Sequence, residues 1–354
     1  MRLMKKPPQV VTPEVVNEED NRELLDLGEV SFKMLLDKSY NIQSLCEDFT
    51  IDKVTDETLR LNNFAGITYM TKEGEIRNLS ISRHAMGQLC SKVGVPHDYM
   101  KKCIGSGRIE LAQDNLNSWL SDFKKDLFIR EYDGRIRGVL TPRYSVCDTP
   151  KILEAVQDAV DLNKFKIKGS FLNEERLHIR LVGKEMLPID GEDLFAGLFL
   201  DSSDVGRNIL TVKFGIYKQV CTNGLVIARA GGTLFEQKHV GITAEEFHSG
   251  LTSSLQNIDL LIDNAVEWVQ RAKHKENHWS ALSEYEDDIN EFISYIRQKT
   301  NLSQNSAGKV IDLMKTKYED NRWGLINSIT EVAQDFTLER RLELEKIAGG
   351  LLVA

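Results

Sequence analysis

The segment Leu127 to Leu140, LFIREYDGRIRGVL, constrains the fold most, because it reads as a β-hairpin whose pairing can be worked out residue by residue. A two-residue type I′ turn needs positive φ at both central positions, and Asp133-Gly134 tolerates that. Tyr132 is then predicted opposite Arg135, Arg130 opposite Arg137 and Phe128 opposite Val139. Those six share one aromatic and basic face, while Leu127, Ile129, Ile136 and Leu140 take the apolar one. Two arginines directly across a strand pair repel, so an anion held between them, such as a nucleic-acid backbone, is one explanation of the pattern. The other is a plain solvated face on which the arginines splay apart and Glu131 and Asp133 compensate them.

Composition sets the class. At 354 residues, 41% hydrophobic and 28% charged, the chain can bury one large core or two smaller ones. It contains no apolar run near the roughly 20 residues that span a bilayer, and MRLMKKPPQVV has no apolar signal-peptide core, so a cytoplasmic protein is expected. Cys46, Cys90, Cys103, Cys147 and Cys221 are an odd, widely spaced set without a CxxC pair and read as reduced thiols. The net charge of −9 argues against a generic polyanion binder, but the charge is uneven: residues 124–184 carry 13 basic against 9 acidic side chains, and residues 241–354 carry 12 against 19.

Along the chain, residues 1–20 read as a flexible lead-in, 21–240 as an α+β core domain, and 241–354 as a helical subdomain or arm. A helix is predicted over 22–37, then a hairpin (61–70 and 75–81), a Ser82-capped helix carrying Met86, Leu89 and Val93, and a break at Pro96. A helix over 110–123 precedes the Asp-Gly hairpin, and Thr149-Pro150 opens another. Strands follow at 164–171, 176–182, 194–200, 209–220 and 225–230. From Leu251 to Ala272, apolar residues at steps of three and four predict one long helix, with further helices at 279–299, 303–318 and 323–347. The fold class is therefore α+β: a mixed, mainly antiparallel sheet with flanking helices, followed by a C-terminal helical region that could self-associate.

Signatures of known chemistry are missing. There is no GxxxxGK[ST] loop, GxGxxG turn, HExxH or GxSxG elbow, so an ATPase, a dinucleotide enzyme or a serine hydrolase is not expected, and neither is a cofactor or a metal. His274, Glu276 and His278, the acidic run Glu284 to Asp288, and Gly105-Ser106-Gly107-Arg108 after two lysines read as solvated helix ends and a glycine loop rather than as ligand sites. Cys221-Thr222-Asn223-Gly224 ends a strand in a cysteine before an Asn-Gly turn; a nucleophile there would need His178 or His239 nearby, and a buried thiol under a tight turn is the plainer reading. Lys213 and Tyr217 share one face of the preceding strand and extend the basic and aromatic pattern.

Leu79 to Met100 (LSISRHAMGQLCSKVGVPHDYM), Arg143 to Asp148 (RYSVCD), Gly197 to Gly206 (GLFLDSSDVG) and Val220 to Leu225 (VCTNGL), in this order and spacing, resemble the phage/plasmid-like family known as domain-of-unknown-function family 932. The resemblance runs over about residues 60–300 and is sharpest at Cys-Thr-Asn-Gly, where Cys221, Asn223 and Gly224 form its structural motif. The chain departs at Lys218-Gln219, where the family tends to have an arginine, and at Asp201, where an asparagine is usual. The resemblance implies residence on a mobile element and carries no activity and no catalytic residue.

The expectation is a non-enzymatic nucleic-acid-binding protein of a mobile element, contacting single-stranded DNA in recombination or replication. Its contacts would be Phe128, Arg130, Tyr132, Arg135, Arg137, Arg143, Tyr144, Lys213, Tyr217 and Lys218. Two alternatives stand beside it: a protein-binding, antirestriction-like antagonist of host defence working through its acidic surface, and a cysteine-dependent enzyme built around Cys221.

Overall fold

The Asp133-Gly134 turn forms as its sequence requires, with φ of 45° and 81°, and it joins two adjacent inner strands of a six-stranded sheet. The computed structural model describes residues 30–71, 73–189, 191, 193–218, 223–226, 233–238, 243–255, 258–274 and 289–352. The first sheet contains β1 (Cys46–Ile51), β2 (Leu59–Leu61), β3 (Ile67–Met70), β4 (Ile76–Ile81), β5 (Leu127–Tyr132) and β6 (Arg135–Leu140) in the order β1-β5-β6-β4-β3-β2. All its pairs are antiparallel except a short parallel contact of β4 with β6. Helices α2 (Arg83–Val93), α3 (His97–Gly105) and α4 (Ile109–Phe123) cover one face. Ser82 caps α2 by accepting from the Ala85 amide, and Pro96 sits at the N-cap of α3, as the sequence predicts.

The hairpin register departs from expectation beyond its first pair. Tyr132 does oppose Arg135, but Arg130 opposes Gly138 and Phe128 opposes Leu140, because β6 bulges and Arg137 becomes the extra residue. The bulge also exchanges two side chains: Val139, not Leu140, joins Leu127, Ile129 and Ile136 in the core under α2–α4. Gly138 lies where a Cβ would come within 3.2 Å of the Val205 side chain, so the bulge sits where a distant loop presses onto the strand.

That loop belongs to the second sheet, a meander of β7 (Phe165–Leu172), β8 (Leu177–Met186), β9 (Leu194–Ser202) and β10 (Leu210–Lys218), with β11 (Asn223–Val226) and β12 (Thr233–Gln237) both pairing β10. Leu177, Ile179, Leu198, Leu200 and Val212 pack on α1 (Phe32–Gln43), α5 (Thr149–Ala159) and α6 (Ala244–Leu255). Leu194, Ala196, Phe214 and Ile216 pack on α7 (Ile258–Lys273), α8 (Ile289–Thr300), α9 (Gln304–Thr316), α10 (Arg322–Val332) and α11 (Leu338–Leu352). The C-terminal helices thus share one hydrophobic cluster with the sheet. The stripe predicted as one long helix is divided between α6 and α7: Leu251 serves one cluster, while Leu261, Ala265, Val269 and Ala272 serve the other. Strands β1 and β12 were not expected from the sequence. The α+β class, with two largely antiparallel sheets and C-terminal helices, is as expected, and no described helix is long and apolar enough to cross a membrane.

Replacing Gly138 by valine should overpack the contact with Val205 and cost on the order of 1–3 kcal/mol, read as a lower urea midpoint; an unchanged midpoint would show that the loop does not press on the bulge.

Candidate functional site

Arg130 and Arg137 were expected on an accessible surface. Both are 1% exposed. Their side chains leave the sheet face opposite α2–α4 and meet the loop that joins β9 to β10, so the anions that relieve their repulsion come from the chain itself. Arg130 donates Nε and Nη2 to Asp48 Oδ1 and Oδ2, each at 3.0 Å, Nη2 to Asp148 Oδ1 at 2.5 Å, and Nη1 to the Asp204 carbonyl at 2.6 Å. Arg137 donates Nη1 to Asp204 Oδ1 at 2.9 Å and to the Glu174 carbonyl. Burial disfavours the Arg130 cation, but Asp204, Asp48 and Asp148 outweigh it and raise its pKa above the ordinary value. His84 Nε2 and the Gln88 amide reach the Val205 carbonyl, and Tyr144 Oη donates to the Ser203 carbonyl, so the same loop is held along its length.

The ionic chain continues onto the second sheet through the β7–β8 loop. Arg135 pairs with Glu174 at 3.6 Å, Arg207 with Glu175 at 3.2 Å, and Arg176 with Asp201 at 2.9 Å. His178 and Asp201 are direct cross-strand partners, with Nδ1 3.2 Å from Oδ1 in a contact poorly aligned for a hydrogen bond. The other ring nitrogen, Nε2, accepts from Arg180 Nε at 3.3 Å, because a guanidinium can only donate. Arg180 Nη2 binds Glu345 Oε2 at 2.8 Å, and Arg341 binds Glu345 Oε1 at 3.1 Å. Glu345, from α11, is fully buried between two guanidiniums. Burial opposes the ionised form of Asp201, but His178 and Arg176 outweigh it and hold the carboxyl far below the usual range.

Lys213 lies on this same face, since it pairs with Phe199 two residues from Asp201. It is half-buried, and among the described residues no carboxylate lies within ion-pair distance of its ammonium. Burial and the nearby Lys346 of α11 lower its pKa. Lys346 is half-buried and equally without an ion pair among the described residues.

The remaining expected contacts divide. Phe128 and Tyr132 are half-buried on the Arg130 face, Arg143 is exposed, and Tyr217 is 5% exposed and so offers no stacking surface. Lys218 points to the opposite face of β10 from Lys213, with its ammonium 5.7 Å from the Tyr318 ring centre and 5.9 Å from that of Trp323. Asn223 and Gly224 pair with Lys218 and Tyr217, while Cys221 lies outside the described residues, as do His239, Glu276, His278 and the run Glu284 to Asp288. Burial pushes the thiols of Cys46, Cys90 and Cys147 up to about 11, which keeps them protonated near neutral pH. No cluster of metal-ligating side chains occurs among the described residues. Asp48, Asp148, Asp204, Lys346 and Glu345 were not anticipated from the sequence; apart from Glu345 and Arg341, four residues apart on one helix, each lies far along the chain from the arginine or lysine it meets.

A carboxyl held low when folded contributes stability above its unfolded pKa of about 3.9 and loses it as pH falls. Asp201→Asn should therefore lower stability at pH 7 by on the order of 1–3 kcal/mol and flatten its decline below about pH 4; denaturant unfolding across pH with an unchanged slope would refute the assignment.

No curated protein and no solved structure matches the chain. A family match covers residues 137–347 and includes the Arg143–Asp148, Gly197–Gly206 and Val220–Leu225 segments. It starts well after residue 60, where the resemblance was expected to begin, leaves out Leu79–Met100, and ends at 347, so it takes in Asp148, Asp201, Asp204, Lys213 and Lys346 but neither Asp48 nor Arg130. Because it spans more than half of the sequence, the chain belongs to the family described as Domain of unknown function (DUF932).

Proposed function

We propose that this protein binds nucleic acid, single-stranded DNA in the first instance, and that its phosphate contacts lie on the second sheet rather than on the hairpin. One observation carries the reading. Every buried arginine of the two ionic clusters faces carboxylates of the chain, whereas Lys213 is half-buried with no carboxylate at ion-pair distance among the described residues and feels the like charge of Lys346. Holding an ammonium group partly out of water near a like charge costs stability. An incoming phosphate offsets that cost, and pairing phosphates with lysine is the sequence-independent part of nucleic-acid affinity. Lys213 is one of the contacts anticipated from sequence; Arg130 and Arg137 are assigned instead to holding the fold together.

A structural cation and a binding cation respond oppositely to removal. Lys213→Met keeps the aliphatic stem and removes the unpaired charge, so it should leave thermal stability unchanged or raised. The same change should weaken binding of a fluorescent single-stranded oligonucleotide and reduce its log–log salt slope by about 0.7 for each phosphate that the variant no longer neutralises. Anisotropy titrations across a salt series supply both readings. Wild-type protein that fails to bind at low salt would overturn the proposal and direct attention to a protein partner met by the acidic surface.

A further inference from the structure

Helix α4 is committed to the first sheet on one side only. Ala112, Leu116 and Leu120 are fully buried in the core of that sheet. Asn117 accepts from the Leu61 amide at 2.8 Å and donates to the Leu61 carbonyl at 3.2 Å, and Gln113 donates to the same carbonyl at 3.2 Å, which locks the helix to the edge strand β2. The other side carries apolar side chains that the described residues leave uncovered: Leu111 is 42% exposed and Trp119 58%. With Asn115 between them they stand four residues apart and form one stripe. Tyr99 of α3, 38% exposed, widens it, with its hydroxyl 3.4 Å from the Asn115 amide nitrogen. Exposed Trp, Tyr and Leu gathered on one face are the composition of a contact surface rather than of a solvated helix.

The stripe reads the same from either end. Arg108 at the helix start and Asp122 in its last turn extend it, so that the five positions are separated by three, four, four and three residues. At about 100° per residue, the four outer positions all fall within about 40° of Asn115 around the helix axis. Two copies of α4 laid antiparallel about a two-fold axis at Asn115 therefore set Leu111 of each against Trp119 of the other, and Arg108 of each against Asp122 of the other. Both charges also oppose the helix dipole, with a cation at the N-terminal end and an anion at the C-terminal end, an arrangement that a lone helix disfavours. An antiparallel second copy brings each of them an opposite charge. Asparagine at the centre of such a pair fixes the register of the two helices.

We infer that the Leu111, Asn115 and Trp119 face of α4 is the contact of a two-fold homodimer, paired antiparallel and centred on Asn115. This places self-association on the first sheet and not on the C-terminal helices, whose apolar residues are spent in the cluster shared with the second sheet. It stands independently of the nucleic-acid reading.

Sedimentation velocity over a concentration series, with charge reversals, tests the pairing. Intact protein should pass from monomer to dimer as concentration rises, and Trp119→Ala should weaken the dimer at least about tenfold. Arg108→Glu alone, or Asp122→Arg alone, sets like charges together at both ends of the contact and should weaken it about tenfold. Arg108→Glu/Asp122→Arg in one chain should restore the intact equilibrium, and an equal mixture of the two single variants should dimerise more readily than either by itself. Intact protein that stays monomeric up to about 1 mM would overturn the inference and leave the stripe to a helix of another protein. A dimer that none of the substitutions weakens, or one that the double reversal fails to restore, would overturn the two-fold pairing on α4. Thermal unfolding of dilute protein serves as the fold control; the three substituted side chains are exposed, so each variant should melt with the intact chain.

Discussion

Two buried arginines on one hairpin cannot coexist without anions, and the way this chain supplies them organises the molecule. Arg130 and Arg137 project from the first sheet into a loop of the second, where Asp204 receives both, with Asp48 from β1 and Asp148 from the start of α5 completing the shell. Ion pairs of this kind contribute little net stability relative to an apolar contact of the same volume, since the cost of desolvating the charges consumes most of the Coulombic gain. They are demanding about arrangement, however. A loop displaced by a few ångströms would leave two guanidiniums buried without partners, which costs more than the pairs ever contribute. The clasp therefore defines where the 203–206 loop sits on β6. The β6 bulge, the Gly138 contact and the hydrogen bonds from His84, Gln88 and Tyr144 agree with that placement.

Once the arginines are committed to the fold, charge on the second sheet takes on a different meaning. There the network from Asp201 through His178 and Arg180 to Glu345 fastens the last helix to the sheet. The lysines beside it are left over. A protein that tolerates surplus, partly buried positive charge does so at some cost in stability, and such costs concentrate where something binds. This is the physical basis for separating a structural cluster from the proposed binding face, although both are rich in basic residues.

Much of the architecture could be read from local signals. The Asp133-Gly134 turn, the Ser82 cap, the Pro96 break and the Thr149-Pro150 helix start are each decided within a few residues, and each forms as expected. What could not be read is set over distance. The bulge at Arg137 comes with the approach of Val205, so strict alternation gave the wrong partner for Arg130. The burial of both arginines depends on Asp48, Asp148 and Asp204, scattered over the chain, and no window on the hairpin contains them. Strand β1, CEDFTI, carries two acids in six residues and lacks a clear alternation, yet it pairs along all of β5 because one of those acids is the partner that Arg130 needs. Lys213 was visible as a basic strand residue; the influence of Lys346 on it was not, because that lysine belongs to the last helix, far along the chain from β10.

Arg137 and Asp204 act on each other across the two sheets. A double-mutant cycle of Arg137→Met and Asp204→Asn, followed by urea unfolding, isolates that interaction from everything else each side chain does. A favourable coupling of about 1–3 kcal/mol is expected, with each single variant clearly destabilised and the double variant less so than their sum. A coupling near zero would mean that the two charges are accommodated independently and that the clasp does not hold the loop to the hairpin.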